Sequence, residues 1–217
     1  MLPGVEPSPM KLQLALDHFL LSDALRLLES VADLVDIVEA GTPLLLSEGV
    51  RAVREIRGRF PGLTVLADFK IMDAGELEAE LAFDAGAHIV TVLGAAEDVT
   101  IRKACAAARA AGSHVMVDLM AVRDPVQRMQ QIMPAGPSWF CCHAAFDTAE
   151  TGGNPLAALA ALRAASAEVG LAVAGGITPE RLPALRPYAP AIAIVGGFVA
   201  QAKDPRAALL SVRAAMG

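Results

Sequence analysis

The chain is expected to fold as a single (β/α)8 barrel, the TIM-barrel class of α/β proteins, and three features of its sequence say so. Short apolar runs alternate with alanine-rich amphipathic stretches eight times within 217 residues, and eight strand–helix units close a barrel. The runs are almost continuously apolar, as parallel strands covered on both faces must be. The first run is not followed by a glycine fingerprint, and six units rather than eight would suit a doubly wound sheet.

Residues 1–9 (MLPGVEPSP) hold three prolines and no periodicity, and read as a flexible leader to a barrel domain spanning 10–217. The strands are expected at 11–17, 34–41, 64–70, 88–94, 114–120, 138–143, 171–176 and 191–197. Helices are expected at 22–30, opened by a Ser22 cap, and at 76–85, where Leu77, Leu81 and Ala85 repeat at helical spacing. Others fall at 98–111, 125–132, 155–169, 179–185 and 205–216. Four of these begin with proline, which suits the first helical position. Gly86, Gly112 and Gly170 are placed to end helices in the left-handed conformation. Arg51, Arg54, Arg57 and Arg59 form a solvated face of one helix, and no linker divides the chain.

Composition excludes several classes. The chain is 54% hydrophobic and 19% charged, which rules out a disordered chain or a coiled coil. A net charge of −6 leaves no general affinity for nucleic acid. No apolar run approaches the ~18 residues of a membrane span, and no signal peptide is visible. Cys105, Cys141 and Cys142 lack metal-type spacing and read as buried, reduced thiols of a cytoplasmic protein.

In such a barrel the active site lies at the C-terminal strand ends. The strands end in Asp17, in Glu39, in Asp68 and Lys70, near Asp118, and in His143. A carboxylate closing an apolar run needs a metal, a cation or water. Asp68 and Lys70 are two apart on the third strand, so both should face the mouth. Asp73 falls beyond that strand, within reach of a second protomer. Glu39 and Asp68, hard oxygen ligands on neighbouring strands, suit magnesium, which seldom receives a full protein cage. Zinc is disfavoured, because no second His or Cys is placed to help His143. His143 has the intrinsic pKa range of a general acid or base. Gly175-Gly176 and Gly196-Gly197 end the seventh and eighth strands, where barrels bind phosphate on exposed backbone N–H groups.

The motif Asp68-x-Lys70-x-x-Asp73 resembles that of the orotidine 5′-phosphate decarboxylase suprafamily. Its flanks, among them LQLALD (12–17), DIVEAGTPLL (36–45), KIMDAGELEAELAFDAGAHIVTVLG (70–94), HVMVDLM (114–120), VAGGI (173–177) and IVGGF (194–198), narrow the likeness to the 3-hexulose-6-phosphate synthases. The sister family, the 3-keto-L-gulonate-6-phosphate decarboxylases, typically carries an Arg where Phe146 stands and Gly-Arg where Gly196-Gly197 stands. Ala145 and Ala149 replace a Gly and a Gln of the usual synthase pattern, next to an unusual 148–156 loop.

The resemblance implies a magnesium-dependent aldol reaction between D-ribulose 5-phosphate and formaldehyde through an enediolate. It implies Glu39 and Asp68 as metal ligands and Lys70 as a fixed positive charge. His143 would move the proton, with Asp118 behind the residues that touch substrate. Asp17 and Asp73 would orient Lys70 and bind hydroxyls, and the glycine pairs would hold the phosphate. It also implies a homodimer in which Asp73 completes the partner's site. The alternatives are decarboxylation of a 3-keto sugar-acid 6-phosphate and a non-catalytic sugar-phosphate-binding barrel.

Overall fold

The computed structural model describes residues 10–145, 147 and 155–217. The leader 1–9, Phe146, Ala149 and most of the 148–156 loop lie outside the described residues. Eight parallel strands close into a barrel in sequence order: β1 (Lys11–Leu16), β2 (Ile37–Ala40), β3 (Thr64–Ile71), β4 (Ile89–Leu93), β5 (His114–Asp118), β6 (Trp139–His143), β7 (Leu171–Ala174) and β8 (Ile192–Val195). β1 closes the ring by pairing with β8, Leu14 opposite Val195.

Strand alternation divides the apolar residues into two layers. Ala15, Ile37, Leu66, Ile89, Met116, Cys141, Ala172 and Ile192 fill the barrel interior. The residues between them in sequence, such as Leu14, Val38, Val65, Val90, Val117 and Cys142, pack outward under the helices. Burying each such Val, Leu or Ile stabilises the fold by about 1.5–3 kcal/mol. All three cysteines are buried, Cys141 inside the barrel and Cys142 under the helices.

The helices are α1 (Leu21–Val31), α2 (Thr42–Glu48), α3 (Arg51–Arg59), α4 (Gly75–Asp84), α5 (Asp98–Ala110), α6 (Pro125–Ile132), α7 (Leu156–Ala165), α8 (Gly197–Ala200) and α9 (Pro205–Met216). Four expectations need correction. Ser22 does not cap α1; the Glu48 carboxylate accepts the Leu21 N–H at 3.1 Å instead. The helix expected at 179–185 is a 3-10 helix, Leu182–Tyr188, because Pro183 and Pro187 remove the N–H groups an α-helix requires. Helix α7 ends at Ala165, before Gly170, which is not left-handed. Gly170 is needed for a close approach: a Cβ there would stand 2.5 Å from the Ser138 carbonyl. Finally, α2 was not anticipated. Among its residues only Leu44 is buried, too little to mark a helical stripe.

The barrel is tied at its outer shell by arginines. The Arg163 guanidinium donates to the carbonyls of Tyr188 at 2.9 Å and Ala167 at 2.6 Å. It thereby satisfies acceptors left open beyond α7. No described helix is long and apolar enough to cross a membrane.

Candidate active site

Inward-facing positions run in steps of two along each strand. The steps that carry Ala15, Ile37, Leu66, Met116 and Cys141 inside the barrel therefore carry Asp17, Glu39, Asp68, Asp118 and His143 to its C-terminal mouth. Glu39, Asp68 and Asp118 are buried. Asp17 is exposed at the rim, immediately past β1. A side chain on Gly41, just past β2, would collide with the Asp17 carboxylate, so this glycine makes room for it.

Two acid–base pairs stand at the mouth. In the first, Lys70 Nζ is bonded to Asp68 Oδ2 and donates to Thr42 Oγ1 at 2.8 Å. Thr42 Oγ1 lies 2.7 Å from Asp68 Oδ2, and Thr91 Oγ1 donates to Asp68 Oδ1 at 2.7 Å. In the second, His143 Nδ1 meets Asp118 Oδ2 at 2.7 Å, while Asp118 Oδ1 accepts the Met120 N–H at 2.9 Å. A cavity of about 280 Å³ opens beside His143, lined by Leu119, Met120, Val122, Cys142 and Ala144.

Burial opposes charge throughout this mouth, and the partners decide the outcome. Desolvation works against the Asp68 carboxylate, but the Lys70 charge and the bonds from Lys70, Thr91 and Thr42 outweigh it and lower its pKa. Desolvation likewise works against the Lys70 ammonium, and Asp68, Glu39 and Asp118 together raise its pKa. For His143, burial is overcome by the hydrogen bond to Asp118 and by its charge, so the imidazole pKa is raised. Among the described residues no cation is in contact with Glu39. Burial first, then the charges of Asp68 and Asp17, push its carboxyl well above the usual range. At the rim, the surrounding protein removes enough water, and Asp68 adds enough negative charge, to raise the Asp17 carboxyl as well.

The chemistry of this donor set fits magnesium. Among the described residues no group of three or more His, Cys, Asp or Glu forms a metal cage, and magnesium is usually held through one or two carboxylates with water and substrate oxygens. Asp68 has about four lone-pair sites, of which Lys70, Thr42 and Thr91 take three. Glu39 accepts from Gln13 Nε2 at 2.5 Å, and its raised pKa is that of a buried carboxylate short of positive charge. Among the described residues, the fully buried Gln13 Oε1 has no hydrogen-bond partner.

The remaining candidates fall as follows. Gly175 and Gly176 directly follow β7 with φ of +94° and +63°, and Gly196 and Gly197 directly follow β8. A Cβ on Gly196 would lie 3.3 Å from Asp17 Oδ2, so this glycine pair adjoins the carboxylates. Asp73 is exposed beyond the end of β3, its Oδ1 accepting the Ala74 N–H at 2.7 Å. His88 and His114 serve the fold, one accepting the Val65 N–H at 3.0 Å, the other standing edge-on to Trp139.

Lys70 reaches Asp68 by a route that alternation does not describe. Its φ is +48°, a conformation that costs a non-glycine residue about 1–3 kcal/mol. Sequence reasoning also passed over Gln13, Thr42 and Thr91. For Gln13 and Thr91 a signal was present, since each is a polar residue inside an apolar strand.

The orotidine 5′-phosphate decarboxylase / HUMPS family model matches residues 10–212. The chain belongs to this family. It is 42% identical over 207 residues to the 3-hexulose-6-phosphate synthase of Mycobacterium gastri, covering 95% of this chain and 100% of that one. The crystal structure of 3-hexulose-6-phosphate synthase from Salmonella typhimurium superposes with a TM-score of 0.93 at 38% identity, covering 95% of this chain and 98% of that one. The 3-keto-L-gulonate-6-phosphate decarboxylase of Vibrio cholerae superposes with a TM-score of 0.87 at 26% identity, over 96% and 98% of the two chains. The family member described here is an enzyme, an aldehyde-lyase similar to the 3-hexulose-6-phosphate synthases.

Proposed function

We propose that the enzyme condenses D-ribulose 5-phosphate with formaldehyde to give D-arabino-hex-3-ulose 6-phosphate, and catalyses the reverse cleavage. The observation that carries this choice is the identity gap: 38% with the Salmonella synthase against 26% with the Vibrio decarboxylase, at similar coverage. The glycines after β7 and β8 hold the phosphate on backbone N–H groups and so fix the distance of the reacting end from Lys70 and His143. His143 takes the C1 proton of the sugar phosphate. Negative charge then develops on the enediolate oxygens, beside the fixed positive charge of Lys70. The C1 carbanion equivalent attacks the aldehyde carbon, forming the C–C bond, and His143 returns its proton to the aldehyde oxygen. Glu39 and Asp68 would hold a magnesium ion, which would supply Lewis-acid stabilisation of negative charge on oxygen.

The test is formaldehyde consumption with D-ribulose 5-phosphate and Mg²⁺, compared with the same mixture after chelation and with CO₂ release from 3-keto-L-gulonate 6-phosphate. Consumption that chelation abolishes supports the reading. Faster CO₂ release would transfer it to the decarboxylase reaction.

A pH profile examines His143 separately. As a base it must be neutral, and Asp118 stabilises its charged form. The acid limb of kcat/KM therefore lies above the ordinary histidine value of about 6.5. Asp118→Asn removes the negative charge, and the limb should move to lower pH. A limb that stays in place would assign the proton to another group.

The enzyme is further proposed to work as a homodimer with shared sites in the cytoplasm, free of nucleic acid and membrane. Met72, Leu77, Leu81 and Val99 are exposed, at 52%, 69%, 46% and 50%, on and around α4 beside Asp73. Such a surface favours burial against a second copy. Ile101, in α5 near these residues, lies in the core, and Leu93 at the end of β4 is half-buried.

A further inference from the structure

The β3–β4 ladder is interrupted at the active site. Ala67 is level with Val90, and the next matched pair is Ile71 with Val92. Three residues of β3, Asp68 to Lys70, thus face one residue of β4, Thr91. Such a bulge leaves ladder groups without their regular partners. Here the Lys70 N–H donates to Thr91 Oγ1 at 2.9 Å, and the same hydroxyl donates to Asp68 Oδ1 at 2.7 Å. Thr91 is buried, 4% exposed. A hydroxyl has one proton to give. Spent on Asp68, it leaves only lone pairs toward the Lys70 N–H, so both bonds have a fixed direction. One side chain therefore holds the left-handed backbone of Lys70 and the carboxylate that Lys70 pairs with.

We infer that Thr91 is the positioning residue of the Asp68–Lys70 pair: its hydroxyl takes the place of the missing ladder acceptor and sets the ammonium against the carboxylate. This rests on the aldolase reading for its kinetic consequence, though not for its geometry. Thr91 does not touch the phosphate end of the substrate, which the proposal places at the glycines after β7 and β8. Its loss should act on turnover rather than on substrate binding.

The experiment compares Thr91→Val, of nearly equal shape, with Thr91→Ser, which keeps the hydroxyl, and with Thr91→Ala as a second loss variant should valine impair folding. In the loss variants kcat should fall on the order of 10- to 100-fold, with KM for ribulose 5-phosphate within about twofold of the parent. Thr91→Ser should recover most of kcat. Amide exchange by NMR gives a readout without substrate. The Lys70 N–H should exchange at least about tenfold faster in the loss variants, with Val90 and Val92 unchanged and Thr91→Ser at the parental rate. Turnover in Thr91→Val within about twofold of an active parent would overturn the inference, and so would a serine variant as slow as valine. If the parent itself consumes no formaldehyde, the aldolase reading fails and the exchange rates decide for Thr91: an unchanged Lys70 rate overturns it.

Discussion

Replacing Lys70 by alanine is expected to reduce turnover by about a thousandfold or more while the barrel still folds. Lys70 Nζ is bonded to Asp68 and Thr42, and Asp68, Glu39 and Asp118 all favour its charge. Its removal takes positive charge from a mouth where four carboxylates converge, at the point where further negative charge must develop on substrate. The variant should also be less stable without metal, because Asp68 becomes a buried carboxylate with no cation. Breaking such a pair costs about 3 kcal/mol. The pH dependence follows from Asp68, whose folded-state pKa Lys70 lowers. A lowered carboxylate pKa stabilises the fold above the unfolded value near 4, and that contribution is lost as pH falls through the folded value. The deficit of Lys70→Ala should therefore be full at pH 7 and smaller near pH 3, as read from urea midpoints at the two pH values. Parental turnover in this variant would remove Lys70 from the mechanism.

Much of this site was legible because parallel barrel strands are apolar on both faces. Against that background Asp17, Glu39, Asp68, Asp118 and His143 stand out, and their positions at strand ends place them at one mouth. Thr91 and Gln13 were harder to read. Threonine is at home in any strand, and nothing in HIVTVLG says that its hydroxyl faces a bulge in the neighbouring strand. Bulge and partner lie on different strands, 21 residues apart at Lys70 and Thr91, and only tertiary register relates them. The left-handed Lys70 is hidden for a similar reason, since lysine carries no mark of positive φ such as glycine or asparagine would give. Alternation put Lys70 at the mouth beside Asp68, where the structure has it, but the bulge rather than alternation is the cause. Helix α2 escaped because its seven residues bury only Leu44, although it delivers Thr42 to the Asp68–Lys70 pair.

The proposed dimer makes the second prediction with a large effect. Asp73 follows the bulge and precedes α4, between two left-handed residues, Lys70 and Ala74. Its side chain accepts the Ala74 N–H, and it is exposed next to the exposed Met72 and near Leu77. A two-fold interface over this face would bring each Asp73 toward the other barrel, burying both apolar patches at once. Asp73→Ala and Lys70→Ala should then each be inactive alone. Mixed in equal amounts and allowed to exchange subunits, they form heterodimers in which one site carries both lesions and the other carries neither. Each heterodimer should regain half of the parental activity. With random exchange about half of the dimers are mixed, so the sample should recover roughly a quarter of the parental specific activity. Subunit exchange is verified by native mass spectrometry of a tagged partner. If exchange is complete and activity stays at the level of the separate variants, each barrel works with its own Asp73 and the shared-site arrangement is wrong.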